Sequence, residues 1–187
     1  MVRISTNQFK NGITIDHDGQ LYDIVEFQFV KPGKGSAFVR TRLKNIRSGK
    51  VLEHTFDSKA TVDQVNVDKV DMEYLYREGD GYVFMHPDTY DQVPVQKDRL
   101  EHAIPLLKEN TKCLFKKVGD EIISIALPDF VNLEVVETDP YIKGSTATGG
   151  PKPAKLETGA TVNVPVFVEN GDVIRVDTRT NEYVERV

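Results

Sequence analysis

The sequence predicts an all-β protein made of small barrels, and three observations carry that expectation. Runs rich in β-branched and aromatic residues recur along all 187 residues, bounded by turns that contain glycine. Within those runs apolar and polar residues alternate, the period of a strand with one buried face. A single stretch, Lys97 to Asn110, has helical spacing, in Leu100, Ile104 and Leu107, and Pro105 splits it or restricts it to short turns. A chain of this length holds one large domain or about two to three small ones.

The first third, residues 1–64, reads as a small barrel or open sheet. It begins with Ile13-Thr14-Ile15, turns at Asp18-Gly19 and enters a long hairpin formed by Leu21–Val30 and Ala37–Ile46. A turn at Ser48-Gly49 leads into Val51–Phe56, and the polar run Asp57-Ser58-Lys59-Ala60-Thr61 reads as a boundary. The tip of the hairpin is Lys31-Pro32-Gly33-Lys34-Gly35-Ser36. Pro32 presets φ, and Gly33 and Gly35 can take the positive φ of a tight reversal, so Lys34 is the only long side chain at the apex.

Charge singles out the same hairpin. Between Gln28 and Lys50 lie Lys31, Lys34, Arg40, Arg42, Lys44, Arg47 and Lys50, with no acidic residue between Glu26 and Glu53. Residues 1–64 hold ten basic and seven acidic side chains, whereas the formal charge of the whole chain is −5. On the second strand Phe38, Arg40, Arg42 and Lys44 share one face, and Ala37, Val39, Thr41 and Leu43 the other. The apolar face packs inward and the basic stripe looks outward, the footprint of a nucleic-acid phosphate backbone.

The second third, residues 65–127, alternates through Val70, Met72, Tyr74 and Tyr76, turns at Glu78-Gly79-Asp80-Gly81 and returns as Tyr82–Met85. The short helical stretch follows, then Cys113–Val118, a Gly119-Asp120 turn and Ile122–Leu127. Strands, a short helix and more strands are the order of a five-stranded Greek-key barrel of the OB type. The last third, residues 128–187, reads as another small barrel. Val131, Leu133 and Val135 share a face, and a long loop runs from Lys143 to Pro153 before strands resume at Thr161–Val168, Val173–Val176 and Tyr183-Val184. That loop is a candidate binding element or a spacer.

Several chemistries find no support. His17, His54, His86 and His102 are scattered without metal-pair spacing, so neither a metal nor another cofactor is expected. Cys113 lies in an apolar strand, where a thiol is usually inert core, and a single cysteine fits a reducing cytosol. Gly33-Lys34-Gly35-Ser36 resembles part of a P-loop, but Gly follows the lysine and the motif's first glycine is missing. No carboxylates are paired in a way that marks a cleft, so no catalytic residue is assigned and a binding factor is expected rather than an enzyme. There is no membrane-length apolar run and no signal peptide, so a cytoplasmic protein without membrane contact is expected. A monomer is expected as well.

Along its full length the chain resembles the bacterial translation elongation factor P family. The residues that carry the likeness are Lys31-Pro32-Gly33-Lys34-Gly35 with Ala37-Phe38, and Lys152-Pro153-Ala154-Lys155-Leu156-Glu157-Thr158-Gly159-Ala160. They continue in Val162-Asn163-Val164-Pro165, Gly171-Asp172 and Val176-Asp177-Thr178-Arg179-Thr180. The resemblance implies an SH3-like (KOW-like) barrel followed by two OB-folds in an L-shaped, tRNA-like arrangement. It implies that Lys34 is extended after translation by a dedicated modifying enzyme. It also implies that the protein binds both ribosomal subunits between the peptidyl-tRNA and exit sites and relieves stalling at consecutive prolines. Lys31, Arg40, Arg42 and Lys44 would then meet tRNA or rRNA near the peptidyl-tRNA acceptor end. Gly144, Ser145, Thr146, Gly149 and Gly150 would form the exit-site loop, which reads Gly-Ser-Thr where the family generally has Gly-Asp-Thr. Asn181 replaces a common glycine, a mild change because Asn tolerates the left-handed conformation.

Other readings remain open at this point. A general single-strand RNA-binding OB protein would use Tyr74, Tyr76, Tyr82 and Phe84 as stacking platforms, although their alternation also fits core. An enzyme with Lys34 as a Schiff-base nucleophile would need a desolvated pocket that a glycine-flanked tip does not supply. An elongation factor P-like paralogue would share the full-length resemblance.

Overall fold

A computed structural model describes residues 2–140 and 150–187. Sixteen strands form three antiparallel sheets among these residues. The first sheet contains β1 (Val2–Ser5), β2 (Thr14–His17), β3 (Gln20–Val30), β4 (Phe38–Asn45), β5 (Val51–Asp57) and β6 (Thr61–Val65), in the order β1-β6-β2-β3-β4-β5. Asp18 and Gly19 both have positive φ (53° and 75°), as a two-residue turn matched to strand twist requires. Along β4 the expected alternation holds: Val39, Thr41 and Leu43 are buried and Arg40, Arg42 and Lys44 exposed. Val39 and Leu43 join Ile15, Ile24, Phe9 and Phe56 in the core of this sheet. Buried Thr41 is satisfied by donating its Oγ1 hydrogen to the His54 carbonyl at 2.8 Å.

The run Asp57–Thr61 is not a boundary. It is the turn into β6, which pairs with both β1 and β2 and so supplies the hydrogen-bond partners of two strands of the first sheet. Polar residues suit an exposed turn as well as a linker, and composition does not separate the two.

The second sheet contains β7 (Asp68–Glu78), β8 (Gly81–Met85), β9 (Gln92–Gln96), β10 (Lys112–Val118) and β11 (Glu121–Ala126), ordered β11-β10-β7-β8-β9. Between β9 and β10 the helical periodicity yields two single 3-10 turns, Lys97–Arg99 and Ile104–Leu106. Pro105 is the second residue of the latter, within the first turn of backbone, where its missing N–H costs nothing. The third sheet contains β12 (Phe130–Thr138), β13 (Lys152–Leu156), β14 (Thr161–Val164), β15 (Val173–Asp177) and β16 (Glu182–Arg186), ordered β14-β13-β12-β15-β16. Val131, Leu133 and Val135 all point into its core, as their spacing predicts. Thr161–Val168 forms a shorter strand than expected, because Pro165 ends the pairing.

By their contacts the residues fall into two compact units. One comprises residues 1–69 with 116–124, and the other residues 70–115 with 125–187. In the first unit Lys116 Nζ reaches Asp23 Oδ2 at 2.8 Å and Arg47 Nη2 reaches Glu121 Oε1 at 2.7 Å, tying the β10–β11 turn region to the first sheet. In the second unit Leu106 is 2% exposed and belongs to the core of the third sheet, and Thr158 Oγ1 donates to the Pro105 carbonyl. No helix among the described residues is long and apolar enough to cross a membrane.

Candidate functional site

β3 and β4 pair continuously apart from one bulge near Val25, and the last pair is Val30 with Phe38. Beyond it residues 31–36 are all exposed, including Lys31 and Lys34. Gly35 has φ +106°, a value a Cβ would strain, and so carries the reversal. Gly33 does not adopt positive φ, so one glycine suffices where two are available. A Cβ on Gly33 would meet nothing within 4 Å, and one on Gly35 would meet only Pro32 Cγ at 3.9 Å. The apex is therefore open on all sides of Lys34. It presents a primary amine to any enzyme or partner large enough to surround it, and it encloses no pocket that would desolvate that amine.

The basic stripe is less one-signed in space than in sequence. Arg42 Nη1 lies 3.4 Å from Glu26 Oε2, and Glu53 on β5 stands directly opposite Arg42 in register. Lys44 is opposite Asp23. Sequence order hides this, because pairing brings Glu26 and Glu53, the acids that bracket the run, against its middle. Arg40 differs: its cross-strand neighbours are the neutral Gln28 and Thr55, and its guanidinium lies 5.6 Å from the Phe38 ring centroid. Uncompensated positive charge is thus concentrated toward the tip, in Lys31, Lys34 and Arg40.

Behind this face the His17 and His54 rings meet at a tilt of 52° with centroids 4.3 Å apart, and His54 also meets Phe56 edge-on. Burial pushes the His54 imidazole below its ordinary value, and the neighbouring His17 adds to the shift against a smaller opposing effect of Asp18. Sequence spacing gives no hint of the pair, since the two residues sit on strands that only the fold brings together.

Elsewhere the candidates separate. Tyr74, Tyr82 and Phe84 are buried at 6%, 5% and 0% exposure, so they are core and not a stacking platform. Tyr76 is 41% exposed, because a register shift between Tyr74 and Tyr76 interrupts the alternation that would bury it. Cys113 is fully buried and its thiol is pushed up to about 12 by desolvation, an inert core group. Of the residues expected to form the exit-site loop, Gly150 is exposed, and Gly144, Ser145, Thr146 and Gly149 lie outside the described residues. Asn181 has φ 59°, the left-handed conformation that Asn accepts in place of glycine. Beside it Arg179 donates through Nε and Nη2 to Asp177, and those bonds hold the Asp177 carboxyl down to about 2.

Three family descriptions match consecutive parts of the chain: the elongation factor P KOW-like domain over residues 5–62, its OB domain over 67–125 and its C-terminal domain over 131–186. Elongation factor P of Moorella thermoacetica is 54% identical over 183 residues, covering 98% of this chain and 99% of that protein. The chain belongs to the elongation factor P family. Elongation factor P of Natranaerobius thermophilus is 53% identical over 184 residues, covering 98% of each chain. Among solved structures, a translation initiation factor eIF-5A family protein from Naegleria fowleri has a TM-score of 0.50 at 16% identity, covering 67% of this chain and 98% of that one. At that identity the likeness concerns the fold alone. As a member of the elongation factor P family the chain is a translation elongation factor, a translation factor rather than an enzyme.

Proposed function

We propose that this elongation factor binds the ribosome between the peptidyl-tRNA and exit sites and stimulates peptide-bond formation where consecutive prolines stall it. The observation that carries the reading is the open, glycine-flanked apex of the β3–β4 hairpin, with exposed Lys34 as its one long side chain after Lys31. Proline is rigid at φ and a poorly placed reactant, so the deficit at a Pro-Pro junction is one of orientation. A hairpin anchored by phosphate contacts from Lys31 and Arg40, with Arg42 and Lys44 behind them, fixes position without reading sequence. Lys34, extended by a modifying enzyme, then reaches toward the peptidyl transferase centre and steadies the acceptor end of the peptidyl-tRNA. The ribosomal RNA performs the chemistry.

The same reading divides the chain at residues 1–64, 65–127 and 128–187, assigns Gly144, Ser145, Thr146, Gly149 and Gly150 to the exit-site side, and has the protein act as a monomer in the cytoplasm. The test is Lys34→Ala, with the mass of the Lys34 peptide measured on protein from its native cell. The variant should keep its melting temperature, because an exposed turn lysine contributes little to stability. It should lose relief of stalling on a triple-proline reporter, and full relief by the variant overturns the reading.

A further inference from the structure

The turn between β8 and β9, His86-Pro87-Asp88-Thr89-Tyr90-Asp91, holds a tyrosine in a conformation that its side chain opposes. Four described residues other than glycine have positive φ, and three of them, Asp18, Asn110 and Asn181, are of the types that tolerate it. The fourth is Tyr90, at φ 61°, and its side chain is not buried in compensation: the residue is 70% exposed. A bulky side chain kept in the left-handed region and turned out to water is strain with no return in packing.

The turn is built to hold that conformation. His86 Nδ1 accepts from the backbone N–H groups of Asp88 (3.2 Å) and Thr89 (3.3 Å). The Tyr90 N–H donates to the His86 carbonyl and the His86 N–H to the Asp91 carbonyl, both at 2.9 Å. Pro87 removes a further degree of freedom. Gln92, the next residue, accepts a hydrogen bond from the phenol of Tyr76, the other exposed tyrosine of this sheet.

A rigid, amphipathic ring on a preorganised turn is the kind of group that anchors an interface, since little entropy is lost when it is buried. The surrounding charge selects the partner. From Glu78 to Gln96 the chain carries no lysine or arginine, and Asp88 and Asp91 flank the tyrosine as exposed carboxylates. Those charges repel a phosphate backbone and complement a basic protein surface. We propose that the His86–Asp91 turn is a protein-docking tip, with Tyr90 as anchor and Asp88 and Asp91 as flanking charges, and that its partner is a basic protein of the ribosome. The proposal rests on the ribosome-binding reading above.

The experiment uses the full chain with p-benzoylphenylalanine in place of Tyr90, illuminated with purified ribosomes and pelleted. The expected product is an adduct to a ribosomal protein, sensitive to protease and resistant to ribonuclease. An adduct to RNA, or pelleting without any adduct, overturns this proposal and leaves the ribosome reading standing; failure of the unsubstituted chain to pellet overturns both. In parallel, Tyr90→Ala should bind ribosomes about thirtyfold more weakly, as loss of an interface anchor does, while Tyr90→Phe stays near the unsubstituted chain. Tyr90→Gly relieves the strain, so it should melt at a higher temperature and still bind as weakly as the alanine variant. Binding at full strength by either the alanine or the glycine variant overturns the proposal.

Discussion

His54 and His17 form a half-buried pair of rings in contact on β5 and β2, and their chemistry makes a prediction at the scale of single residues. The folded His54 sits below its ordinary value of 6.5, so the unfolded chain takes up a proton first as pH falls. Its contribution to stability is complete above that value and is lost progressively as pH drops through the folded value. The melting temperature of the native chain should therefore fall more between about pH 7.5 and about pH 5 than that of His54→Gln, which cannot charge. Equal falls in the two proteins would remove His54 from the account. Other single residues were readable from sequence alone: Asn181 takes the left-handed turn its type suits, and Cys113 is the inert core thiol its apolar neighbours imply. Tyr76 was not, because the register shift between Tyr74 and Tyr76 breaks the buried alternation there and leaves no mark in the sequence pattern.

Among the elements, the β3–β4 hairpin carries the largest difference between linear and spatial charge. A run of one sign over the stretch from Lys31 to Lys50 is real as sequence, yet antiparallel pairing sets Glu26 and Glu53 against Arg42. Arg42 is therefore already partly compensated and Arg40 is not. Arg40→Glu should weaken ribosome binding strongly at low salt, with the gap from the unsubstituted chain narrowing as salt is raised, whereas Arg42→Glu should weaken it less. Equilibrium pelleting across a salt series measures both, and equal losses would mean that compensation by Glu26 does not matter. A loss in neither variant would reduce the stripe to a solvated face. The tip itself follows from composition, because Pro32, Gly33 and Gly35 leave Lys34 nothing to pack against.

For the whole molecule, the informative contact is one that crosses a sequence boundary. Leu106 belongs to the segment between β9 and β10, yet it is buried with Val131, Leu133, Ile174 and their neighbours in the core of the third sheet. Lys108 adds an ion pair to Glu157 at 2.8 Å within the same unit. Leu106→Ala should thus destabilise the third sheet by about 2–5 kcal/mol, the cost of a buried leucine truncated in a core that relaxes only partly. Chemical denaturation with amide exchange in β12 and β15 measures this, and unchanged exchange there would place Leu106 outside that core. Helical periodicity over Lys97–Asn110 marks Leu107 and Leu100 as apolar positions but cannot say which core a side chain enters.

Sequence by itself determined the all-β class, the number of sheets, the exposed Lys34 and the inward faces of β4 and β12. Each follows from local rules: residue alternation, glycine and proline at turns, and side chains with no neighbour to reach. Tertiary structure alone decided what those rules do not reach: β6 returning to β1 and β2, the acids set against Arg42, the His17–His54 pair and the burial of Leu106 in another sheet's core. All four are contacts between residues distant in the chain, and nothing in the local pattern of one partner specifies the position of the other.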